Sequence, residues 1–381
     1  MLKEHLNRKS YRTLEDDAGV SKKTACSLTN KVAGELIHSN DLTKLLEPQN
    51  YSGIILIDGK YVPVKYTKER AREGLVPRSK KRRGKTKKGL VILPFIDYLT
   101  HDIPIFIVAL SENMVDLERG FRKLKEIGYP LKVVVCDESM GEIAQVAKKV
   151  FPDVIIQICL THYSRNVDRE FKVNSAIRGI SALEKKLCYI GDEILINTHY
   201  YNTEKARKLT NGIADLEFEF GYLIEVQNIF RKIFWSVQTE EELNQAEDEL
   251  NEAIGQMNLG NYSYASRIKK RYLDYYNKRD LITAFIKYPH IPRTTNLIEG
   301  FNSTTLEIRF TSIRGFEKEE TAENYINALI LKRRFQKFKD CKGKFKKLNG
   351  KSPLKIARPK RTFGFDFDND DWIDFCRKLK S

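Results

Sequence analysis

No stretch of this 381-residue chain approaches the roughly 20 consecutive apolar residues that a membrane-spanning helix needs, so no membrane partner is expected. The opening residues, MLKEHLNRKSYRTLEDD, lack the apolar centre of a secretory signal, which points to the cytoplasm. Cysteines are few and scattered, at positions 26, 136, 159, 188, 341 and 376. Without paired spacing they form no disulfide framework and suit free thiols in a reducing compartment. Cys159 and His162 make one Cys-x-x-His pair with no second pair nearby, which argues against a four-ligand structural zinc. No internal repeat is present. With 41% hydrophobic residues, the chain is globular rather than disordered, and long enough for two or more domains.

Positive charge is abundant and unevenly placed. The formal net charge is +16. Residues 66–89 hold 11 Lys/Arg against two Glu, a net of +9, and residues 331–361 hold 14 against one Asp, a net of +13. Together they carry +22, which leaves the remainder near −6. Charge concentrated in this way points to a polyanion, and Phe335, Phe338 and Phe345 interleaved with the second run favour nucleic acid.

The hydrophobic pattern divides the chain. Arg12 to Ala18 reads as a short helix, Gly19 as a tight turn, and Ser21 as the N-cap of a second helix reaching about Ile37. Ala25, Leu28, Val32 and Leu36 form its expected apolar stripe. Lys22, Lys23, Ser27, Asn30 and Lys31 are left on the open face, as in a DNA-binding helix-turn-helix over 1–46. Around Asp58-Gly59, the runs IILI and KYVPV read either as a hairpin or as one long strand carrying Asp58 at its centre. The segment 66–89 reads as a basic loop, with Lys81, Arg82 and Arg83 expected on phosphates. Further strands and helices alternate up to about residue 168, and the last strands, VVVC and IIQI, are apolar enough for a buried parallel arrangement. From 169 to 286 the strand signals vanish and helical periodicity takes over. The segment 287–338 returns to helices, and 339–381 is basic and then acidic and aromatic.

Three carboxylates stand out. Asp58 follows IILI, Asp137 follows VVVC, and Glu299 sits in TTNLIEGFNS. An acid at the end of an apolar strand lies at the carboxyl edge of a sheet, where sites gather. Grouped carboxylates repel one another unless cations lie between them. Hard oxygen ligands select Mg2+ or Mn2+, and two such ions suit in-line phosphoryl transfer. Taken singly, each acid is equally well explained as a turn, cap or solvated residue. Glu138, Asp97 and Asp102 are competing acids.

CDESMGEIAQVAKKVFPDVIIQICLTHYSRNV and RTTNLIEGFNSTTLEIRFTSIRGF resemble the catalytic segments of Mutator-like transposases, a DDE family that includes prokaryotic insertion-sequence enzymes. The resemblance spans about residues 50 to 335. It implies an α/β fold: a ribonuclease H-like core with a mixed five-stranded sheet and flanking helices, split into 50–168 and 287–338 by an all-α insertion over 169–286. It also implies Asp58, Asp137 and Glu299 as the metal-binding triad with two Mg2+ (or Mn2+) ions. His162, beside Cys159, is then an active-site residue. Double-stranded DNA, as transposon ends and target, becomes the substrate, with a homodimer or larger assembly and a nucleoid-associated location in a prokaryote. Strand cleavage would expose a 3′-hydroxyl that attacks target DNA directly, so no Tyr or Ser nucleophile is assigned.

Asn296 and Asn302 flank Glu299 at −3 and +3, on one helical face, and are expected to orient the carboxylate or bind phosphate. Arg309 and Arg314 are expected on the DNA backbone. Trp235, one of two tryptophans, reads either as a core residue between apolar neighbours or as a stacking partner for an unpaired base. Two other readings remain: a ribonuclease H-type metal nuclease, and a catalytically inactive, transposase-derived DNA-binding protein.

Overall fold

The computed structural model describes all residues except 8, 48–49, 65–86, 110–112, 139–141, 197–199, 257–264, 314, 317, 359–363, 368–369 and 381. The chain divides into two compact units, one of residues 1–156 and 294–381, the other of 157–293. The second is therefore inserted into the first, beginning and ending outside the expected 169 and 286.

The first unit is α/β. Four helices open it: α1 (Leu2–Leu6), α2 (Tyr11–Ala18), α3 (Lys22–Gly34) and α4 (Ser39–Leu46). Gly19, in the left-handed conformation at φ 63°, ends α2, and the Ser21 hydroxyl accepts from Thr24 N to start α3. The turn is the one expected, and of the expected stripe Ala25 and Leu36 are buried. The rest of the buried face differs. Ala25, Thr29 and Ala33 are buried, whereas Leu28 is 40% exposed and Val32 half-buried. Small residues at i, i+4 and i+8 let α3 lie close against α16 (Glu319–Phe335), where Gly34 meets the Asn324 side chain. Lys22, Lys23, Ser27 and Lys31 remain exposed, and Asn30 is half-buried. These helices belong to the same compact unit as the sheet.

Six strands follow: β1 (Ile54–Ile57), β2 (Lys60–Val64), β3 (Lys87–Asp97), β4 (Ile105–Ala109), β5 (Val133–Cys136) and β6 (Ile155–Ile158). They form one mixed sheet. β1 and β2 do not make a hairpin. Ile55 opposes Asp97, Ile57 opposes Phe95, Lys60 opposes Ile92 and Val62 opposes Leu90, a single antiparallel register along β3. Together they are one long strand interrupted at Asp58-Gly59, because the apolar side chains of both halves are needed against β3. β4 pairs with β3, and β5 runs parallel beside β1. Helices α5 (Met114–Glu126) and α6 (Glu142–Val150) flank the sheet.

Gly53 sets the entry of β1. Its carbonyl accepts from Lys132 N at 2.8 Å and Val133 N at 3.0 Å, and its φ is 78°. A Cβ there would lie 2.5 Å from the Pro130 carbonyl oxygen, so the position requires glycine.

Two buried acids hold the far end of the sheet. Asp97 accepts from the Tyr129 hydroxyl, Ser52 N and Oγ, Leu99 N, and Thr100 N and Oγ1. Burial, with Asp97 beside it, pushes the Tyr129 hydroxyl well up, so it stays a donor. Asp102 takes both arms of Arg334, at 2.8 and 2.9 Å, plus the Tyr51 hydroxyl. Arg334 also donates to Ser39 O, Ser39 Oγ and Thr43 Oγ1, so α16, α4 and the β3–β4 turn share one buried guanidinium.

The acidic, aromatic C-terminus, which had no role in the sequence, is a clasp. Phe365, Trp372 and Phe375 gather around Phe335 at ring distances of 5.1 to 6.1 Å. The last helix, Trp372–Lys378, then receives Ile37 N on Cys376 O, and Arg377 pairs with Glu35 at 2.8 Å.

The second unit is helical. It contains α7 (Leu160–Phe171), α8 (Val173–Ile196), α9 (Tyr200–Arg231), α10 (Glu240–Gln256), α11 (Ala265–Asn277), α12 (Arg279–Ile282) and α13 (Ala284–Lys287). Tyr163, Phe171, Phe230, Phe234 and Tyr275 fill its core. Arg271 binds Glu170 through two nitrogens and Asp274 through a third. Its ends meet, since Leu160 N donates to Arg293 O at 2.8 Å.

Removing one partner of a buried ion pair costs about 3–5 kcal/mol, because the other charge is stranded. Arg334→Met and Asp102→Asn should each cost that much in urea denaturation, and the double variant clearly less than the sum. Buried His5 and His101 are both pushed from 6.5 down to about 4 by burial. The unfolded chain takes up these protons first as pH falls. Their contribution is thus fully present above pH 6.5 and lost on the way down to about 4. The melting temperature should drop by several degrees across that window, and less so in His101→Asn. Asparagine tolerates the positive φ of 58° at that position.

Candidate active site

β1 and β5 end in register, with Ile57 beside Cys136, and the next residues are Asp58 and Asp137. Adjacent strands lie about 4.8 Å apart, and equivalent positions on parallel strands face the same way. The two acids therefore leave the same edge of the sheet side by side, and both are half-buried.

The third acid arrives on helix α14 (Asn296–Phe301), which packs on β1. Ile298 and Phe301 are buried, which turns half-buried Glu299 toward the edge rather than to open solvent. Buried Thr295 directs its hydroxyl to Glu299 Oε1 at 3.5 Å. One turn later Asn302 donates from Nδ2 to Asp58 Oδ2 at 3.0 Å. That bond ties the helix carrying Glu299 to the strand carrying Asp58. Asn302 is 5% exposed, and its Oδ1 is buried with no hydrogen-bond partner among the described residues. It opens a π-turn over Asn302–Glu307, a local widening often found at functional sites. Glu307 closes that turn on Lys60, at 2.8 Å, just beyond Asp58.

The competing acids separate cleanly. Asp97 and Asp102 are saturated by protein donors at the other end of β1. Glu138 stays beside Asp137, half-buried. Among the described residues of the first unit, no three His, Cys, Asp or Glu side chains bring ligand atoms within 4.8 Å of one another. The ligands of one octahedral magnesium ion lie within about 4.2 Å of each other, given metal–oxygen distances of about 2.1 Å. Asp58, Asp137 and Glu299 offer hard carboxylate oxygens, the donor type that Mg2+ or Mn2+ takes. The orphaned Asn302 Oδ1 is a further hard acceptor at that edge.

Other expected residues fall as follows. Asn296 is exposed at the start of α14. Arg309, expected on the DNA backbone, is instead 4% exposed and donates from Nε to the Tyr325 hydroxyl at 3.0 Å. Its stem is drawn into the packing of α15 (Ile308–Ser312) against α16, where a phosphate does not reach. Lys81, Arg82, Arg83 and Arg314 lie outside the described residues. Cys159 is buried at the N-cap of α7 and His162 is half-buried in its first turn, both within the second unit.

Trp235 is not a core residue. Ile233 and Phe234 are buried beside it, but the π-turn Lys232–Ser236 rotates the indole outward, 44% exposed. Arg293 holds that turn. Its guanidinium donates to Phe234 O, Trp235 O, Val237 O and Gln238 Oε1 and lies 4.0 Å over the Phe285 ring. Nothing in the sequence singled out Arg293, because three of its four hydrogen-bond partners are backbone carbonyls that any residues would supply. Comparison with protein-family models and with curated proteins finds no match for the chain.

Clustered carboxylates give a test that needs no substrate. Millimolar Mg2+ or Mn2+ should raise the melting temperature of the wild-type chain by several degrees, since an ion bound only to the folded state stabilises it. Asp137→Asn should melt higher than wild type without metal, relieved of repulsion, and gain nothing from the ion.

Proposed function

We propose that this chain is a DDE-type DNA transposase, which cleaves DNA at element ends and joins the freed 3′-hydroxyls to target DNA. The observation that carries the reading is the Asn302–Asp58 hydrogen bond between two parts of the chain 244 residues apart. It gathers the Glu299 helix to the strand edge where Asp58 and Asp137 emerge.

A ribonuclease H-like core is the finer fold reading. In its support, a long interrupted strand bearing the first acid lies between an antiparallel neighbour and a parallel one bearing the second. The helical unit inserted before Glu299 supports the rest of that reading.

Asp58, Asp137 and Glu299 would hold two divalent ions. When bound, these supply nucleophile activation and leaving-group stabilisation for in-line phosphoryl transfer. Asn302 fixes the rotamer of Asp58 and so the spacing of the acids. The open face of α3, with Lys22, Lys23 and Lys31, is shaped for duplex DNA. Exposed Trp235 offers a flat ring to an unpaired base. His162 is assigned near the chemistry by the Cys-x-x-His resemblance.

The test is a magnesium titration with labelled DNA from the flanks of the coding sequence. Wild type should nick and join these ends. Asp58→Ala, Asp137→Ala and Glu299→Ala should each lose about three orders of magnitude in both steps, as for groups acting as one unit, while still binding DNA. Equal nicking by Asp137→Ala and wild type would sink the triad. Cleavage of RNA–DNA hybrids without joining would replace the transposase with a nuclease.

A further inference from the structure

The basic run after α16 was expected to bind nucleic acid with its aromatic rings interleaved. The structure gives those rings another task. Phe338 pairs its backbone with Gly350 N and Lys351 O, and the Asn349 side chain bonds both Cys341 N and O, so residues 338–351 close into one compact lobe. Phe345 packs on His101 at 4.5 Å and Tyr98 at 5.5 Å, and Phe338 packs on His101 at 5.4 Å. Leu348 is buried beneath the 3₁₀ turn Gly343–Leu348. The apolar groups are thus anchors on the turn after β3. Lys339, Lys342, Lys344, Lys346, Lys347 and Lys351 are left exposed. None of the six has an ion-pair partner among the described residues, although Lys344 also rests over the Tyr98 ring.

We infer that this lysine lobe is a second docking surface for duplex DNA, read through its phosphates and without sequence preference. The observations select the partner. Rings turned inward leave no platform for stacking single-stranded bases. Buried Phe338 and Leu348 leave no apolar residue to enter a lipid surface. Point charges without bidentate geometry suit a phosphate backbone. The same unit carries α3, whose exposed lysines lie on a single helix, a shape that the wide B-form major groove admits and the narrow A-form one does not, which favours duplex DNA over duplex RNA.

Place matters as well. The lobe sits on Tyr98 and His101, beyond Asp97, and Asp97 is paired with Ile55 near the start of β1. Asp58 lies three residues further along that strand, roughly 10 Å away at 3.3 Å per residue. DNA held by the lobe is therefore a flank or a second duplex, not the phosphate at the acids. The inference goes beyond the transposase reading and does not need the acids to be catalytic.

The experiment uses the full chain without metal, so it reads binding whether or not the acids cut DNA. Lys339, Lys342, Lys346, Lys347 and Lys351 are changed together to Gln, and Lys344 is kept because it packs on Tyr98. A control changes Lys172, Lys185, Lys186, Lys205 and Lys208 to Gln, five exposed residues of the second unit. Affinity for a random-sequence 30-base-pair duplex is measured by fluorescence anisotropy across a salt series. Each lost phosphate contact removes about 0.9 from the slope of log affinity against log salt. The lobe variant should lose about 4 in slope and about a hundredfold in affinity at moderate salt, with an unchanged melting temperature. An unchanged slope, or an equal loss in the control, overturns the inference. So does a variant that keeps duplex DNA but loses duplex RNA or phosphatidylserine vesicles.

Discussion

The site depends on the register of β1 against β5. Four consecutive pairs, from Ile54–Val133 to Ile57–Cys136, end both strands at the same level. A slip of one residue would put Asp58 and Asp137 on opposite faces of the sheet. Such a slip is opposed at the start of the strands, where two amides of residues 132 and 133 converge on the Gly53 carbonyl. It is opposed on the other side by β3, which holds β1 and β2 in one antiparallel frame. Desolvating two acids side by side is unfavourable, and the apolar strands that carry them supply the compensating burial.

The polar interior at the opposite end of the sheet is of a different kind. Asp97 and Asp102 are deeper than Asp58 or Asp137, yet every oxygen is occupied by a protein donor. Their charge is offset internally, so they do not draw in a cation. The contrast separates structural from candidate functional acids better than depth alone does. Arg334 extends the same network to Ser39 and Thr43 and locks the N-terminal helices to the sheet. An α3 held in this way is rigidly part of the first unit, and the C-terminal helix fastens its far end.

Much of this was legible in the sequence because it follows short-range rules. Gly19 and Ser21 marked a turn and a cap, VVVC and IIQI marked buried strands, and the helical stretch after residue 169 read as such. The three acids were legible as candidates because each follows an apolar run. What was not legible depended on partners distant in the chain. The Asp58-Gly59 pair signals a hairpin locally, and only the presence of β3 makes it a break in one strand. The apolar stripe of α3 held at Ala25 and Leu36 but not at Leu28, because α16 accepts small residues at close approach. Arg309 and Phe345 look like DNA contacts by composition. Tyr325, for one, and His101 and Tyr98, for the other, turn them inward.

An insertion of 137 residues, from 157 to 293, would by itself weaken a site assembled from both of its flanks. Without it, Asp137 and Glu299 would stand 25 residues apart instead of 162. For a flexible loop, that lengthening adds roughly 1.7 kcal/mol of closure entropy, at about 0.6 kcal/mol per doubling. The structure avoids most of even this modest cost. The second unit has its own core of Phe171, Phe230, Phe234 and Tyr275, and its two ends are joined where Leu160 N meets Arg293 O. The chain thus leaves and re-enters the first unit through a short, fixed gap. Once the second unit has folded, the helix bearing Glu299 approaches β1 as though the intervening chain were a brief turn. Arg293 serves at both levels: its backbone closes the insertion, and its side chain holds the turn that presents Trp235.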